Sequence, residues 1–142
     1  MMRLLVPVDG SPHSERAVQH LIRLAQCREI APEIHLINVR EPVDSWEVRH
    51  FLTEEEIGRM QRDEGEEDLR SARALLDAAG LAYDAQVLNG PVAQTIADQA
   101  ERLHCDAIFM GSHGRGHLAG LFLGSVATKV VHLSRVPVTL VK

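Results

Sequence analysis

The sequence predicts an α/β fold, with an open parallel sheet of five strands and helices on both faces in a Rossmann-like arrangement. Short, nearly continuous apolar runs are typical of strands that are buried on both faces. Segments with apolar residues at helical spacing lie between these runs. The two kinds of segment alternate along the whole chain without a repeat or a linker, and such alternation packs as a parallel sheet joined by right-handed crossovers. We therefore expect residues 1–142 to form a single domain.

Local signals define the individual elements in chain order. Ser11 is a plausible N-cap and Pro12 a first helical residue for the first helix. Thr53 followed by Glu56 is a capping-box pattern at the start of a long acidic helix, which Gly80 ends. The predicted strands are 3–8, 34–39, 81–88, 106–110 and 136–141. The predicted helices are 12–28, 53–79, 92–103 and 125–133, and residues 41–52 are expected to form a loop.

The charge of the chain is unevenly distributed. Fifteen Lys and Arg against 20 Asp and Glu give a net charge of −5, which argues against general nucleic-acid binding. Residues 41–68 contain eleven acids and three arginines, a balance of −8, so the rest of the chain carries +3. That mildly basic body is suited to holding a small anion. Within the acidic segment, Trp46, Phe51 and Leu52 are too apolar for a linker and predict a flap or packing onto the body.

Composition excludes several other classes. The apolar runs are too short to span a membrane. Cys27 and Cys105, the two cysteines, cannot build a disulfide framework or a four-thiolate metal site, and we expect both to be packing residues. Because the chain opens directly into a strand-like segment with no signal-peptide pattern, we expect a cytoplasmic protein.

The carboxyl-terminal edge of the predicted sheet concentrates unusual residues. Ligands of open parallel sheets bind beyond the carboxyl ends of the strands, where this sequence places Asp9, Val39 and Gly111. The loop 111–124 contains five glycines, which allow positive φ angles and close approach of backbone amides to a ligand. A helix then opens at Ser125, and a helix amino terminus favours phosphate. The loop therefore indicates phosphate binding, with a flexible surface loop before a capped helix as the alternative.

Other phosphate-binding motifs fit this loop poorly. Gly111 and Gly116 have Walker A spacing, but His117 and Leu118 replace the required lysine and hydroxyl residue. A loose dinucleotide fingerprint at 114–119 follows the fourth strand instead of the first, and no acid comes after it to bind a ribose. The His-Gly-Arg-Gly-His stretch lacks the first histidine of the nucleotidyl-transferase signature.

The pattern Gly111-x2-Gly114-x9-Gly124-Ser125 does fit a known family. On this pattern the sequence resembles the universal stress proteins, in particular their ATP-binding branch, over nearly the whole chain. The segments that carry the resemblance are residues 6–11, 110–115, 124–127 and 137–138. The resemblance implies the adenine nucleotide alpha hydrolase-like form of the Rossmann-like fold and a stress-response regulator that signals through nucleotide occupancy.

The resemblance also implies a nucleotide site. Pro7 and Val8 would wall the adenine, Val39 would offer main-chain groups to it, and Asp9 would accept hydrogen bonds from the ribose hydroxyls. Plain core packing for the apolar residues, and a turn acid that binds its own backbone for Asp9, are the alternatives. The cofactor-binding residues predicted in this way are Pro7, Val8, Asp9, Val39, Met110, Gly111, Gly114, Arg115, Gly124, Ser125 and Val126.

The loop residues of this set receive more specific roles. Gly111 would lie against the ribose and Gly114 against the phosphates, while Gly124, Ser125 and Val126 would donate amides to the phosphates. Arg115 would add a guanidinium, or else face solvent. The cofactor is then ATP, or ADP or AMP, with Mg²⁺ carried by the phosphates instead of a protein-built metal site.

Three functions remain open at this point. The leading one is ATP binding with hydrolysis absent or slow. The resemblance implies a homodimer in which the apolar last strand, 136–141, pairs antiparallel with its copy, and a protected sheet edge that carries Pro137 is the alternative. The second is a nucleotide-independent dimerisation module of the same fold. The third is a slow ATPase that uses His113 or His117 as a base, for which the sequence offers no orienting partner.

Overall fold

A computed structural model describes residues 1–115 and 122–142. These residues contain a five-stranded, fully parallel sheet of order β3-β2-β1-β4-β5. The strands are β1 (Arg3–Pro7), β2 (Glu33–Arg40), β3 (Tyr83–Asn89), β4 (Ala107–Gly111) and β5 (Val138–Val141). The helices are α1 (Pro12–Gln26), α2 (Trp46–Phe51), α3 (Glu54–Ala78), α4 (Val92–Arg102) and α5 (Ser125–Leu133). The predicted fold class is confirmed.

The two faces of the sheet carry separate apolar cores. Alternate residues of a strand point to opposite faces, so Leu4 and Val6 of β1 pack with α1 and α3, whereas Leu5 packs with α4 and α5. All three side chains are at most 3% exposed. This two-sided burial explains the nearly continuous apolar runs of the central strands.

The predicted helix starts are present as capping interactions. Ser11 Oγ accepts a hydrogen bond of 3.3 Å from the Ser14 amide at the start of α1. At the start of α3, Thr53 Oγ1 accepts from the Glu56 amide at 3.1 Å, and Glu56 Oε1 accepts from the Thr53 amide at 3.3 Å. The capping box read from the sequence is thus confirmed.

The segment 41–52, predicted to be a loop, has no regular structure over residues 41–45 but forms a short helix after them. Within it Ser45 caps the short helix α2, whose residues are all solvent-accessible. Trp46 and Phe51 are 73% and 79% exposed, so packing onto the body is wrong for these two residues, whereas Leu52 is half-buried and the flap alternative stays a prediction. A six-residue helix that buries nothing leaves no apolar period in the sequence, which is why periodicity missed it.

Smaller differences concern strand starts and one cysteine. The third strand begins at Tyr83 instead of 81, because the Leu81 amide still bonds to Leu76 O at the end of α3. The fifth begins at Val138 instead of 136. Cys105 is buried as expected, but Cys27 is exposed, so its predicted packing role is wrong.

Among the described residues, no helix is both long enough and apolar enough to cross a membrane.

The strand order reverses between β1 and β4, which are neighbours in the sheet. Connections from the two strands leave towards opposite faces at such a point, and a crevice opens beyond their carboxyl ends. Asp9 follows β1 there, and Gly111 is the last residue of β4. The fold therefore brings these two sequence-predicted residues to the same edge.

Candidate functional site

A cavity of about 370 Å³ lies beyond the carboxyl ends of β1 and β4. All eleven sequence-predicted site residues line it: Pro7, Val8, Asp9, Val39, Met110, Gly111, Gly114, Arg115, Gly124, Ser125 and Val126. Six further residues also line it: Ser14, Asn38, Val92, Ile96, His113 and Ala127. The individual ligand contacts assigned to these residues remain predictions, whereas their assembly around one space is a property of the fold.

One part of the cavity wall is apolar. Val39 of β2 meets Val92 and Ile96 of α4 in the core on the α4 and α5 side of the sheet. Met110 of β4 belongs to the same core. The two α4 residues had no signal as site residues, since in the sequence they read as ordinary positions on the buried face of an amphipathic helix.

Asp9 connects two backbone segments at the cavity. Its Oδ1 accepts a hydrogen bond of 2.9 Å from the Ser11 amide, the local turn contact considered as the alternative role. Its Oδ2 accepts a bond of 3.1 Å from the Arg115 amide, which belongs to the loop after β4. Each carboxylate oxygen has room for a second donor, so these two contacts leave Asp9 able to accept hydroxyl groups as well.

The motif glycines are required because the chain approaches itself closely. A Cβ on Gly114 would overlap the Asp9 carboxylate, and one on Gly111 would lie 2.7 Å from the carbonyl carbon of His13. The expected positive φ angles are not found at these two positions, since the described glycines with positive φ are Gly10, Gly80 and Gly90. Of the two reasons given for the loop glycines, close approach of the backbone therefore applies at Gly111 and Gly114 and positive φ does not, while Gly116 and Gly120 lie outside the described residues.

The amino terminus of α5 faces the cavity through Ser125, Val126 and Ala127. Its N-cap residue, Gly124, has no side chain to cap the helix, and the first amides carry the positive end of the helix dipole. Gly124 is different, because its amide donates a hydrogen bond of 2.8 Å to Ser112 O. The expectation that Gly124 donates its amide to phosphate is therefore corrected, and Ser125 and Val126 remain as the candidate donors.

Arg115 was expected either to add a guanidinium to the phosphates or to face solvent. Its side chain is 65% exposed, and its Nη2 donates a hydrogen bond of 2.8 Å to Oδ1 of Asp68 on α3. The pair crosses over Gly10, where a Cβ would lie 2.6 Å from that Nη2. Gly10 has a φ of +79°, so glycine is favoured here both by the backbone and by the ion pair above it.

Sequence reasoning missed Asn38, a polar residue in an apolar strand and only 2% exposed. Its Nδ2 donates to Val8 O at 2.8 Å and lies 3.3 Å from Oδ2 of Asp68. Asn38 Oδ1 is buried, and within the described ranges it has no hydrogen-bond partner. The signal that was available is the single amide between Ile37 and Val39 in an otherwise apolar run.

The loop histidines lie differently from what the slow-ATPase alternative assumed. His113 lines the cavity, its Nδ1 lies 2.9 Å from Ser112 Oγ, and its ring lies 5.1 Å from that of His13. The sequence had offered no orienting partner for it, and Ser112 supplies one. His117 lies outside the described residues. In residues 1–115 and 122–142, no three His, Cys, Asp or Glu side chains are grouped so that they could hold a metal ion.

An α/β sheet of this strand order with a cavity at its reversal point defines a Rossmann-like protein. Residues 1–142 match the model of the universal stress protein family. The chain therefore belongs to the universal stress protein family.

Individual relatives agree with this assignment. Universal stress protein MJ0531 of Methanocaldococcus jannaschii is 30% identical, over 99% of this chain and 81% of the relative. The solved structure of MJ0577 from the same organism is similar with a TM-score of 0.85 at 28% identity, covering 99% of this chain and 95% of that one.

Two further solved structures contain nucleotides. The universal stress protein from Archaeoglobus fulgidus was solved in complex with dAMP, with a TM-score of 0.68 at 22% identity over 100% of this chain and 98% of that one. Another universal stress protein was solved in complex with cAMP, with a TM-score of 0.71 at 22% identity over 99% and 97%. At 22% identity, the similarity to each of these two structures shows a shared fold alone.

Proposed function

We propose that this chain binds an adenine nucleotide, ATP, in the cavity between the ends of β1 and β4 and acts as a cytoplasmic stress-response regulator. One observation carries the proposal: a hydrogen-bonding carboxylate, Asp9, and the amino terminus of α5 at Ser125 line the same cavity. A ribose hydroxyl group needs an acceptor and a phosphate needs donors, and the two lie on opposite parts of a nucleotide.

The dimensions and walls of the cavity support a nucleotide ligand. Its volume of about 370 Å³ falls in the range of small-molecule sites, about 300–1,000 Å³. The apolar wall formed by Val39, Val92 and Ile96 suits the face of a purine. The dAMP and cAMP complexes of the two fold relatives support the adenine class of nucleotide.

The phosphates would meet the positive end of α5. The amides of Ser125 and Val126 would donate to phosphate oxygens, with the helix dipole adding a favourable field. Hydrogen bonds to charged groups contribute about 1.5–3 kcal/mol each. Mg²⁺ would arrive on the phosphates, since it keeps several waters and needs few protein ligands.

We further propose that hydrolysis is absent or slow. Fast phosphoryl transfer needs a group that positions water together with stabilisation of the developing charge. Asp9 is assigned to the ribose and already accepts two amides, and Nδ1 of His113 lies at hydrogen-bond distance from Ser112 Oγ. The chain would then signal by its nucleotide occupancy.

Homodimerisation through the last strand belongs to the same proposal. Strand β5 is at one edge of the sheet, and its four residues, Val138–Val141, are all partly exposed. An apolar edge strand of this kind can pair with its copy across a two-fold axis. Size-exclusion chromatography with light scattering tests this, and a monomer at micromolar concentration would contradict it.

The experiment for nucleotide binding begins with purified protein that is denatured and analysed by chromatography for a bound nucleotide. Thermal unfolding with ATP, ADP, AMP and GTP then measures preference. At a hundred times the dissociation constant, ATP stabilises the folded state by about 2.7 kcal/mol, a rise in the unfolding midpoint of roughly 5–15 °C. No rise with any adenine nucleotide at millimolar concentration would favour a nucleotide-independent module instead.

A further inference from the structure

Asp68 of α3 is a second carboxylate beside the proposed nucleotide site, and it has no role in the contacts proposed so far. Its side chain is only 7% exposed, yet two arginines share it. Oδ1 accepts from Arg115 Nη2 at 2.8 Å, and Oδ2 accepts from Arg40 Nη1 at 2.9 Å. One buried carboxylate therefore links α3 to the loop that follows β4.

The two arginines hold Asp68 unequally. Arg40 is 27% exposed and also pairs with Glu64 at 2.6 Å. Asn38 Nδ2 adds a third donor on the same side, at Oδ2. Removing the last partner of a buried charge is strongly unfavourable, but Asp68 keeps Arg40 and Asn38 if Arg115 leaves. Arg115, which is 65% exposed, is therefore the partner that can be exchanged.

Arg115 lies within reach of the phosphate end of the cavity. The amide nitrogen of Gly114, the residue before it, is 3.6 Å from where a Cβ on Gly124 would be. Consecutive Cα atoms are about 3.8 Å apart, so the backbone of Arg115 lies close to the residue that precedes α5, and Arg115 lines the same cavity as Ser125 and Val126. Its backbone stays fixed on Asp9 while the guanidinium, with five N–H donors, changes partner.

We propose that Asp68 is a positioning residue that competes with the outer phosphates of the nucleotide for the Arg115 guanidinium and so sets the preference between triphosphate and monophosphate. The inference rests on the proposed nucleotide binding. The first phosphate, next to the ribose, meets the amides of α5. The outer phosphates extend towards the exposed rim, where Arg115 lies. ATP must therefore displace Asp68 from Arg115, whereas AMP does not.

A purely structural role for the pair makes the opposite prediction. If the Arg115–Asp68 contact only held the loop against α3, its removal would loosen the loop and weaken every nucleotide alike. Competition predicts instead that removing the Asp68 charge strengthens ATP binding selectively. The sign of the effect separates the two roles.

The test measures ATP and AMP affinities by calorimetry for wild type, D68N, R115Q, the double variant and the control E64Q. Glu64 lies one turn earlier on α3 and pairs with Arg40 instead of Arg115, so E64Q removes the same charge without touching the exchanged partner. D68N is expected to tighten ATP binding by about 3- to 10-fold. The affinity of D68N for AMP should change by less than about twofold, and so should the affinity of E64Q for ATP. R115Q weakens ATP binding and removes the gain from D68N.

The outcomes that overturn the proposal are distinct. The proposed competition is contradicted if D68N weakens the binding of both nucleotides or leaves both unchanged. It is also contradicted if E64Q tightens ATP binding as much as D68N does. In each of these cases the proposed nucleotide binding itself still stands. A wild type that binds neither nucleotide removes the proposed function and this inference together. If D68N does not fold, the Arg115 Nε–H resonance of the ¹⁵N-labelled wild type decides. It should shift with ATP and not with AMP, and equal behaviour with both contradicts the proposal.

Discussion

The backbone amide of Arg115 donates a hydrogen bond of 3.1 Å to the carboxylate of Asp9. The contact ties the residues that follow β1 to those that follow β4, two strands that are neighbours in the sheet but are separated by about a hundred residues of chain. Asp9 also accepts a hydrogen bond from the Ser11 amide. This one side chain therefore holds together the two backbone segments that meet at the cavity. The stability of the loop and the affinity for nucleotide are therefore expected to depend on this carboxylate.

Asp9→Asn should weaken ATP binding at least 10-fold and lower the free energy of unfolding by about 1–3 kcal/mol. The asparagine NH₂ group cannot accept, so one of the amides that now bind Asp9 loses its partner. Calorimetry and urea unfolding measure the two effects. Asp44→Asn, an exposed residue of the acidic segment, is the matched control and should change neither.

Gly114→Ala should reduce nucleotide affinity more than stability. The new methyl group would overlap the Asp9 carboxylate and displace it from its position in the cavity wall. We expect at least a 10-fold loss of ATP affinity, about 1.4 kcal/mol, by calorimetry. Gly58→Ala is the control, because a Cβ there meets only Arg62 Nη1 at 3.4 Å. It should stabilise α3 by about 0.5–1 kcal/mol and leave affinity unchanged. Wild-type affinity in Gly114→Ala would contradict the assigned role of this glycine.

Gly111→Ala should act on the fold itself. A Cβ there would lie 2.7 Å from the carbonyl carbon of His13 and 2.9 Å from the Ser14 amide nitrogen, so the first turn of α1 must move. Overpacking of this kind costs about 1–3 kcal/mol, which urea unfolding measures. If the variant is as stable as wild type, β4 and α1 do not meet as described.

The Cys105 thiol should be unreactive and should make stability depend on pH. Burial raises the pKa of Cys105 from 9.0 to about 11. Its contribution to stability is fully present below pH 9, where the thiol of the unfolded chain is also protonated. It is lost as pH rises from about 9 towards 11, because only the unfolded chain then releases the proton.

Two measurements check this behaviour. A thiol reagent at pH 8 should label the exposed Cys27 in the folded protein and both cysteines after denaturation. When the pH is raised from 9 to 10.5, the free energy of unfolding of Cys105→Ala should fall by less than that of the wild type. Two rapidly reacting thiols in the folded protein would contradict the burial of Cys105.

Thr53→Ala should lower stability by about 1 kcal/mol, since it removes the side chain that caps α3. Thr53→Ser keeps the hydroxyl group and should restore most of the loss. The thermal midpoint is expected to fall by about 2–4 °C for the alanine variant. An equal loss in both variants would mean that the hydroxyl group does not contribute.

The sequence predicted the fold because strands and helices leave regular apolar patterns, and it predicted eleven residues of the cavity wall through the family resemblance that the glycine pattern carries. Apolar runs gave the strands, and the spacing of Gly111, Gly114 and Gly124 identified the loop. Short-range signals such as the capping box at Thr53 were equally reliable.

The sequence could not predict pairings that depend on side chains brought together by folding. Arg115 and Asp68 are 47 positions apart, and the sequence around either residue gives no sign of the pairing. Gly111 shows the same limit, since its partner is the backbone of α1. The short helix α2 was missed for the opposite reason, because it makes no buried contacts that would impose a pattern.

The central position of β1, hydrogen-bonded to β2 on one side and to β4 on the other, has a consequence for protein synthesis. A nascent chain that has released only its first three strands leaves one side of β1 unpaired, and it has not yet released Gly111 or Ser125. Such an intermediate exposes an apolar strand edge. A ligand that contacts the start of α5 can therefore assist folding only after Ser125 and Val126 have left the ribosome.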